Sequence, residues 1–205
     1  LDEQTIGFFS GDNGGADFFP TQAAPRGFHS ANVDPKTGVF FRGKKGNLYE
    51  GGLRVPMLVR WPGKVKPGKV SDLLWYFPDV LPTVAELAGV PPPKDIDGLS
   101  IVPELLGEAV AGRKQPQHEF LYWELGPETA VRMGNWKAIR PRPNQAWQLY
   151  DLSKDISEQN NIAAGNPDVL APNRGTDTIG ILLGNGDGSF RPMAAFAVGN
   201  RPGGV

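Results

Sequence analysis

The 205-residue chain has no cysteine. That excludes disulfide frameworks and thiolate metal sites. Its two histidines are too few to favour a poly-histidine zinc centre. No apolar stretch approaches the roughly 18 residues of a membrane-spanning helix, so no membrane partner is expected. An excess of one charge sign is also missing: 21 basic and 22 acidic residues leave a net charge of −1. Such a balance offers no broad basic surface to nucleic acid or polyanions. No signal-peptide pattern opens the sequence, and Leu1-Asp2-Glu3 reads as the interior of a longer protein. What is abundant is glycine (27) and proline (20), which predicts many turns and long loops.

Thr5 to Ser10 is a short apolar run ending in Gly11-Asp12-Asn13-Gly14-Gly15. The pattern is that of a buried strand delivering polar residues to a loop. Open α/β sheets place ligands at that end of a strand. Residues 16–47 have no sustained period and read as a long loop. Val55 to Trp61 reads as a second buried strand, stopped by Pro62-Gly63. Asp79 to Gly89 is the clearest helix. Asp79 can cap it, Pro82 is tolerated in the first turn, and Gly89 supplies the stop. Val80, Leu81, Val84, Leu87 and Ala88 fall on one face. Ser100 to Leu106 suggests another short helix.

From Glu119 onward the runs shorten. Residues 120–123, 129–133, 136–140 and 147–150 read as strands, with Gly134-Asn135 as a hairpin turn. They predict a small antiparallel sheet. Residues 172–205 are Gly-rich and poor in charge, with one β-like run from Thr178 to Leu183. The expected class is α/β (α+β), with three pieces: 1–115, a small antiparallel β subdomain over 116–171, and a β-like tail over 172–205.

Several residues could carry chemistry. Asp12 and Asn13 place a carboxylate and an amide oxygen side by side, donors that suit a hard divalent cation. The same Asp-Asn-Gly-Gly run is also an ordinary turn. Lys44 and Lys45 lie between Gly43 and Gly46. A lysine there can aim its ammonium at an oxyanion, or form a solvated basic turn. Glu50 and Arg54 are close enough in sequence to pair. His29 and His118 are weak signals, more often surface or hydrogen-bonded residues than acids or bases. The Trp and Tyr residues between 122 and 150 are better explained by packing than by a carbohydrate platform. Asn185 and Asp187 supply too few oxygens for a full calcium loop and read as a turn.

Taken together, these motifs resemble the sulfatase family within the alkaline-phosphatase-like superfamily. The matching stretches are Phe9 to Gly15 (FSGDNGG), Gly43 to Pro56 (GKKGNLYEGGLRVP) and Arg60 to Gly63 (RWPG). The closing segment from Asp151-Leu152 to Asn160-Asn161 also matches in order and spacing, so the resemblance covers about residues 1 to 170. It implies a partial alkaline-phosphatase-like sheet with helices. It implies that Asp12 and Asn13 bind calcium and that Lys45, rather than Lys44, contacts the substrate sulfate. The implied ligand is a sulfate ester or another small anion, and the family is often periplasmic or secreted. Phosphate- or phosphonate-ester hydrolysis, or a noncatalytic binding or structural module, are the alternatives.

The family's nucleophile is a formylglycine made from the cysteine or serine of a C/S-x-P-x-R motif. No such motif occurs in these 205 residues, so little or no turnover is expected from the chain alone. The stretch from Ile181 to Phe190 is similar to part of an FG-GAP or VCBS repeat, which suggests a truncated or chimeric reading frame.

Overall fold

The computed structural model describes residues 4–16, 33 and 37–166, and the strands at 170–173, 178–181 and 194–197. In chain order the elements begin with β1 (Gly7–Ser10), α1 (Glu50–Leu53), β2 (Met57–Arg60) and α2 (Val80–Leu87). Helices α3 (Val102–Leu106) and α4 (Glu108–Ala111) follow. A meander comes next: β3 (Leu121–Leu125), β4 (Glu128–Met133), β5 (Trp136–Arg140) and β6 (Gln148–Asp151). The last strands are β7 (Leu170–Asn173), β8 (Thr178–Ile181) and β9 (Ala194–Ala197). The chain divides into two compact units, Leu1–Gly11 with Pro56–Glu119, and Asp12–Val55 with Phe120–Val205.

In the first unit β1 and β2 pair antiparallel, with Phe8 opposite Val59 and Phe9 opposite Leu58. Continuous apolar runs of this kind predict strands covered on both faces. Among the described residues only one face is covered: Phe9 is 70% and Leu58 65% exposed. Helix α2 forms where the apolar period predicts it, preceded by a 3-10 turn over Phe77–Asp79. Gly89, at φ +70°, ends it in a left-handed conformation that costs glycine little. The expected apolar row is not its buried side. Pro82, Thr83 and Ala85 are buried, whereas Leu81 and Val84 are exposed.

Asp79 also departs from expectation. Its side chain makes no cap bond to α2. Its carboxylate instead accepts from the Leu99 amide at 2.7 Å and the Tyr76 amide at 3.0 Å. His118 Nε2 lies 2.8 Å and 3.0 Å from its two oxygens. The His118 ring meets Tyr76 edge-on at 4.8 Å. Thr83 extends this staple: its hydroxyl donates to the Asp79 carbonyl and accepts from the Ile101 amide. His118 is thus a structural partner of a buried carboxylate. Asp79→Ala strands two interior amides and is expected to cost about 2–4 kcal/mol of stability. Urea denaturation beside Asp79→Asn measures it, and a loss below about 1 kcal/mol would refute the staple.

The second unit is built on the meander β3-β4-β5-β6. Met133 pairs with Trp136, so Gly134-Asn135 form the predicted two-residue hairpin, with Gly134 at φ +55°. Successive side chains alternate between two covered faces. Ala130, Ile139 and Tyr150 pack with Leu48, Tyr49 and Leu152. Val131, Ala138 and Leu149 pack with Phe120, Tyr122, Trp136 and Trp147. Most of the aromatics of this region are therefore packing residues. Strands β7-β8-β9 form a separate antiparallel sheet, and β8 covers Thr178–Ile181 of the expected β-like run, whose last two residues lie outside the described residues. His29, Asn185 and Asp187 lie outside the described residues.

Candidate functional site

The loop carrying Asp12 and Asn13 and the loop carrying Lys45 meet through their backbones. The Gly14 amide donates to the Gly52 carbonyl at 2.9 Å, and the Lys45 amide donates to the Gly15 carbonyl at 2.9 Å. Asp12 and Lys45 are exposed and Asn13 is half-buried. Glycine is required by closeness rather than by dihedral angle at Gly14: a Cβ there would lie 1.7 Å from the Gly51 carbonyl oxygen. One on Gly52 would lie 2.0 Å from the Asn47 oxygen. The lysine turn is closed by the Asn47 amide, which donates to the Lys44 carbonyl at 3.0 Å. The Asn47 side-chain oxygen in turn accepts from the Lys44 amide at 3.2 Å.

Behind this loop lies a buried ion network. Lys137, fully buried on β5, places its ammonium 2.9 Å from both Glu50 Oε1 and Glu158 Oε1. The other Glu158 oxygen accepts from the Glu50 amide at 2.6 Å. Arg54 and Arg132 each approach Glu50 Oε2 at 3.6 Å. The expected Glu50–Arg54 pair is therefore present, but Lys137 is the nearer cation. Arg42 donates to the Tyr150 hydroxyl and the Glu158 carbonyl, both at 2.9 Å. Glu128 accepts from the Leu48 amide at 2.8 Å.

The two buried carboxyls titrate in opposite directions. Burial pushes Glu50 up, but Lys137, Arg132 and Arg54 together outweigh it and hold it below its ordinary value. Burial also pushes Glu158 up, and there Lys137 offsets it only in part while the Glu50 charge adds to it. Glu50 thus contributes stability that is complete above its ordinary value and lost as pH falls through the lowered one. The folded state binds the Glu158 proton more tightly than the unfolded state does. Its titration therefore removes stability as pH rises from the ordinary value through the raised one. Lowering pH from neutral towards about 4.5 is expected to shift the melting-temperature difference between wild type and Glu158→Gln in favour of wild type. A pH-independent difference would contradict the raised value.

Asp12 and Asn13 offer hard oxygen donors of the type calcium takes. Calcium uses six to eight, more than these two residues could supply. Among the described residues no group of three or more His, Asp or Glu side chains converges. No helix among them is long and apolar enough to cross a membrane. Lys137 lies in no motif, and Glu158 falls inside the matching Asp151–Asn161 segment without being marked out there.

This mixed α/β architecture with antiparallel sheets is that of sulfatase structures. One solved chain, described under the metabolism of multiple glycosaminoglycans by Bacteroides thetaiotaomicron, superposes with a TM-score of 0.61 at 29% identity. The match covers 82% of this chain and 37% of that one. The N-sulphoglucosamine sulphohydrolase C-terminal family matches residues 39–169, and the chain belongs to it. Among curated relatives, the N-acetylgalactosamine-6-O-sulfatase of Bacteroides thetaiotaomicron is 35% identical over 188 residues, covering 83% of this chain and 35% of that protein. Human arylsulfatase A is 33% identical over 199 residues, covering 82% and 36%. The chain spans about a quarter to a third of the length of the curated relatives it matches.

Proposed function

We propose that this chain supplies the anion-binding side, and part of the metal-binding side, of a sulfate-ester hydrolase. Lys45 pairs with the sulfate, and Asp12 and Asn13 donate two oxygens to a calcium ion. The observation that carries this reading is the pair of backbone bonds joining the Asp12-Asn13 loop to the Lys45 loop. When bound, the ion supplies positive charge that stabilises an anionic sulfuryl group. The ammonium of Lys45 does the same from its own side as a point charge. The remaining metal ligands and the nucleophile come from outside these described residues.

Ligand linkage tests the reading. A group that binds only the folded state raises the melting temperature with concentration. Calcium is expected to raise it in wild type and not in Asp12→Ala, and sulfate to raise it in wild type and not in Lys45→Ala. Equal calcium shifts in wild type and Asp12→Ala would refute the metal assignment. Stabilisation by phosphate but not by sulfate would move the reading to phosphate or phosphonate esters. A response to neither anion would make the chain a noncatalytic module.

We also propose that 1–115, 116–171 and 172–205 are distinct pieces, the last similar to part of an FG-GAP or VCBS repeat. A protease-resistant product ending near residue 171 supports this division, and a stable product retaining the tail argues against it.

A further inference from the structure

We propose that Lys137 and Glu158 are positioning residues that lock α1 and the turn before it onto the meander, and so fix Lys45 for its anion. This rests on the reading of Lys45 as the sulfate ligand. The geometry is a row across the sheet: Arg132 on β4, Lys137 on β5 and Tyr150 on β6 are register partners. Side chains directly opposite in a sheet share a face. Every member of that row grips the segment from Arg42 to Arg54. Arg132 and Lys137 meet Glu50, and Tyr150 meets Arg42. Glu158, itself held by Lys137, accepts from the Glu50 amide.

The grip is transmitted over few bonds. Glu50 lies five positions after Lys45 in the chain. Gly52, two residues beyond Glu50, accepts from Gly14 beside Asn13. Moving Glu50 therefore moves both loops of the candidate site. Charges this deeply buried are costly, and apolar replacements of similar volume are often at least as stable. A network whose value were stability alone has a cheaper apolar substitute; a network whose value is register does not.

The test uses the full 205-residue chain with inorganic sulfate as the probe and calcium present. The Lys45 amide shift reads binding by NMR, well below the melting temperature. There a contact that only stabilises leaves the affinity of folded molecules unchanged. Lys137→Met/Glu158→Gln removes one charge of each sign, keeps Glu50 opposite Arg132 and leaves an acceptor for the Glu50 amide. The expected result is a folded protein with at least fivefold weaker sulfate binding and at least tenfold faster exchange of the amides from Glu50 to Arg54. Unchanged affinity in the folded double variant overturns the proposal. If the double variant fails to fold, Glu158→Gln alone must weaken sulfate binding at least twofold, and unchanged affinity there overturns it equally. Lys45→Ala separates the two ideas. If it leaves sulfate affinity intact, the Lys45 assignment is wrong. If it weakens binding while the network variants do not, only the positioning role is wrong.

Discussion

Aryl-sulfate hydrolysis by the purified 205-residue chain is expected to be indistinguishable from the buffer rate, with or without calcium. The reasoning is chemical. Sulfatase-type turnover as the resemblance implies it needs an activated oxygen nucleophile from a C/S-x-P-x-R motif. The chain has no cysteine, and none of its serines is followed by proline at the second position and arginine at the fourth. On the proposed reading, Lys45 and a two-donor ion site hold and neutralise an anion. Preorganised charge of that kind is worth about 3–4 kcal/mol per donor in favourable cases. Enzymes, however, lower barriers by roughly 8–23 kcal/mol, and the motif that the resemblance implies for the covalent step is absent from these 205 residues. A sensitive arylsulfatase assay on wild type, Asp12→Ala and Lys45→Ala checks this. Turnover in wild type that disappears in both variants would show that these residues suffice for catalysis, and the inference from the missing nucleophile would be wrong.

The sequence marked the two candidate loops better than it marked what supports them. Gly14, Gly51 and Gly52 are positions of close backbone approach that the motifs contain but do not mark out. The close partner is other backbone: a Cβ on Gly51 would meet the Gly43, Arg42 and Phe41 carbonyls. The four strands of the meander and the Gly134 hairpin were legible because alternation and turn chemistry are local signals. The helix at Val80–Leu87 was legible for the same reason, but its buried side was not. The period says which residues share a face and not which face meets a partner.

Lys137 was out of reach for a different reason. Its partner Glu50 lies 87 residues earlier, and the Glu50 amide finds Glu158 108 residues later. Contacts at that separation leave no periodic trace. One clue was present in β5. Ala138 and Ile139 are adjacent and so point to opposite faces, and both are buried. A strand apolar on both faces belongs to a sheet covered on both sides, and a lysine within it must find a carboxylate.

Gly52→Ala is expected to be the most destabilising single substitution in the loop, costing more than about 4 kcal/mol. The added Cβ would lie 2.0 Å from the Asn47 oxygen, 2.7 Å from the Lys44 oxygen and 2.9 Å from the Asn47 carbonyl carbon. All three are backbone atoms, so no rotamer change relieves the overlap. Relief requires the turn from Lys44 to Asn47 to separate from α1. That opposes the Leu48–Glu128 bond and the Lys137 network that holds Glu50 of α1. Gly14→Ala is sterically tighter, at 1.7 Å from the Gly51 oxygen. The Asp12-Asn13 loop, however, can lift away at the cost of the Gly14–Gly52 and Lys45–Gly15 bonds. We expect a smaller loss there, about 1–3 kcal/mol, together with loss of calcium- and sulfate-dependent stabilisation. Gly46→Ala is the control. No heavy atom lies within 4 Å of where its added Cβ would sit, and only the positive φ of +86° is strained, which costs roughly 1–2 kcal/mol. Urea denaturation of the three variants should rank Gly52→Ala above Gly14→Ala and Gly46→Ala. If Gly52→Ala unfolds within about 1 kcal/mol of wild type, the close packing of the lysine turn on α1 is not what holds Lys45 in place.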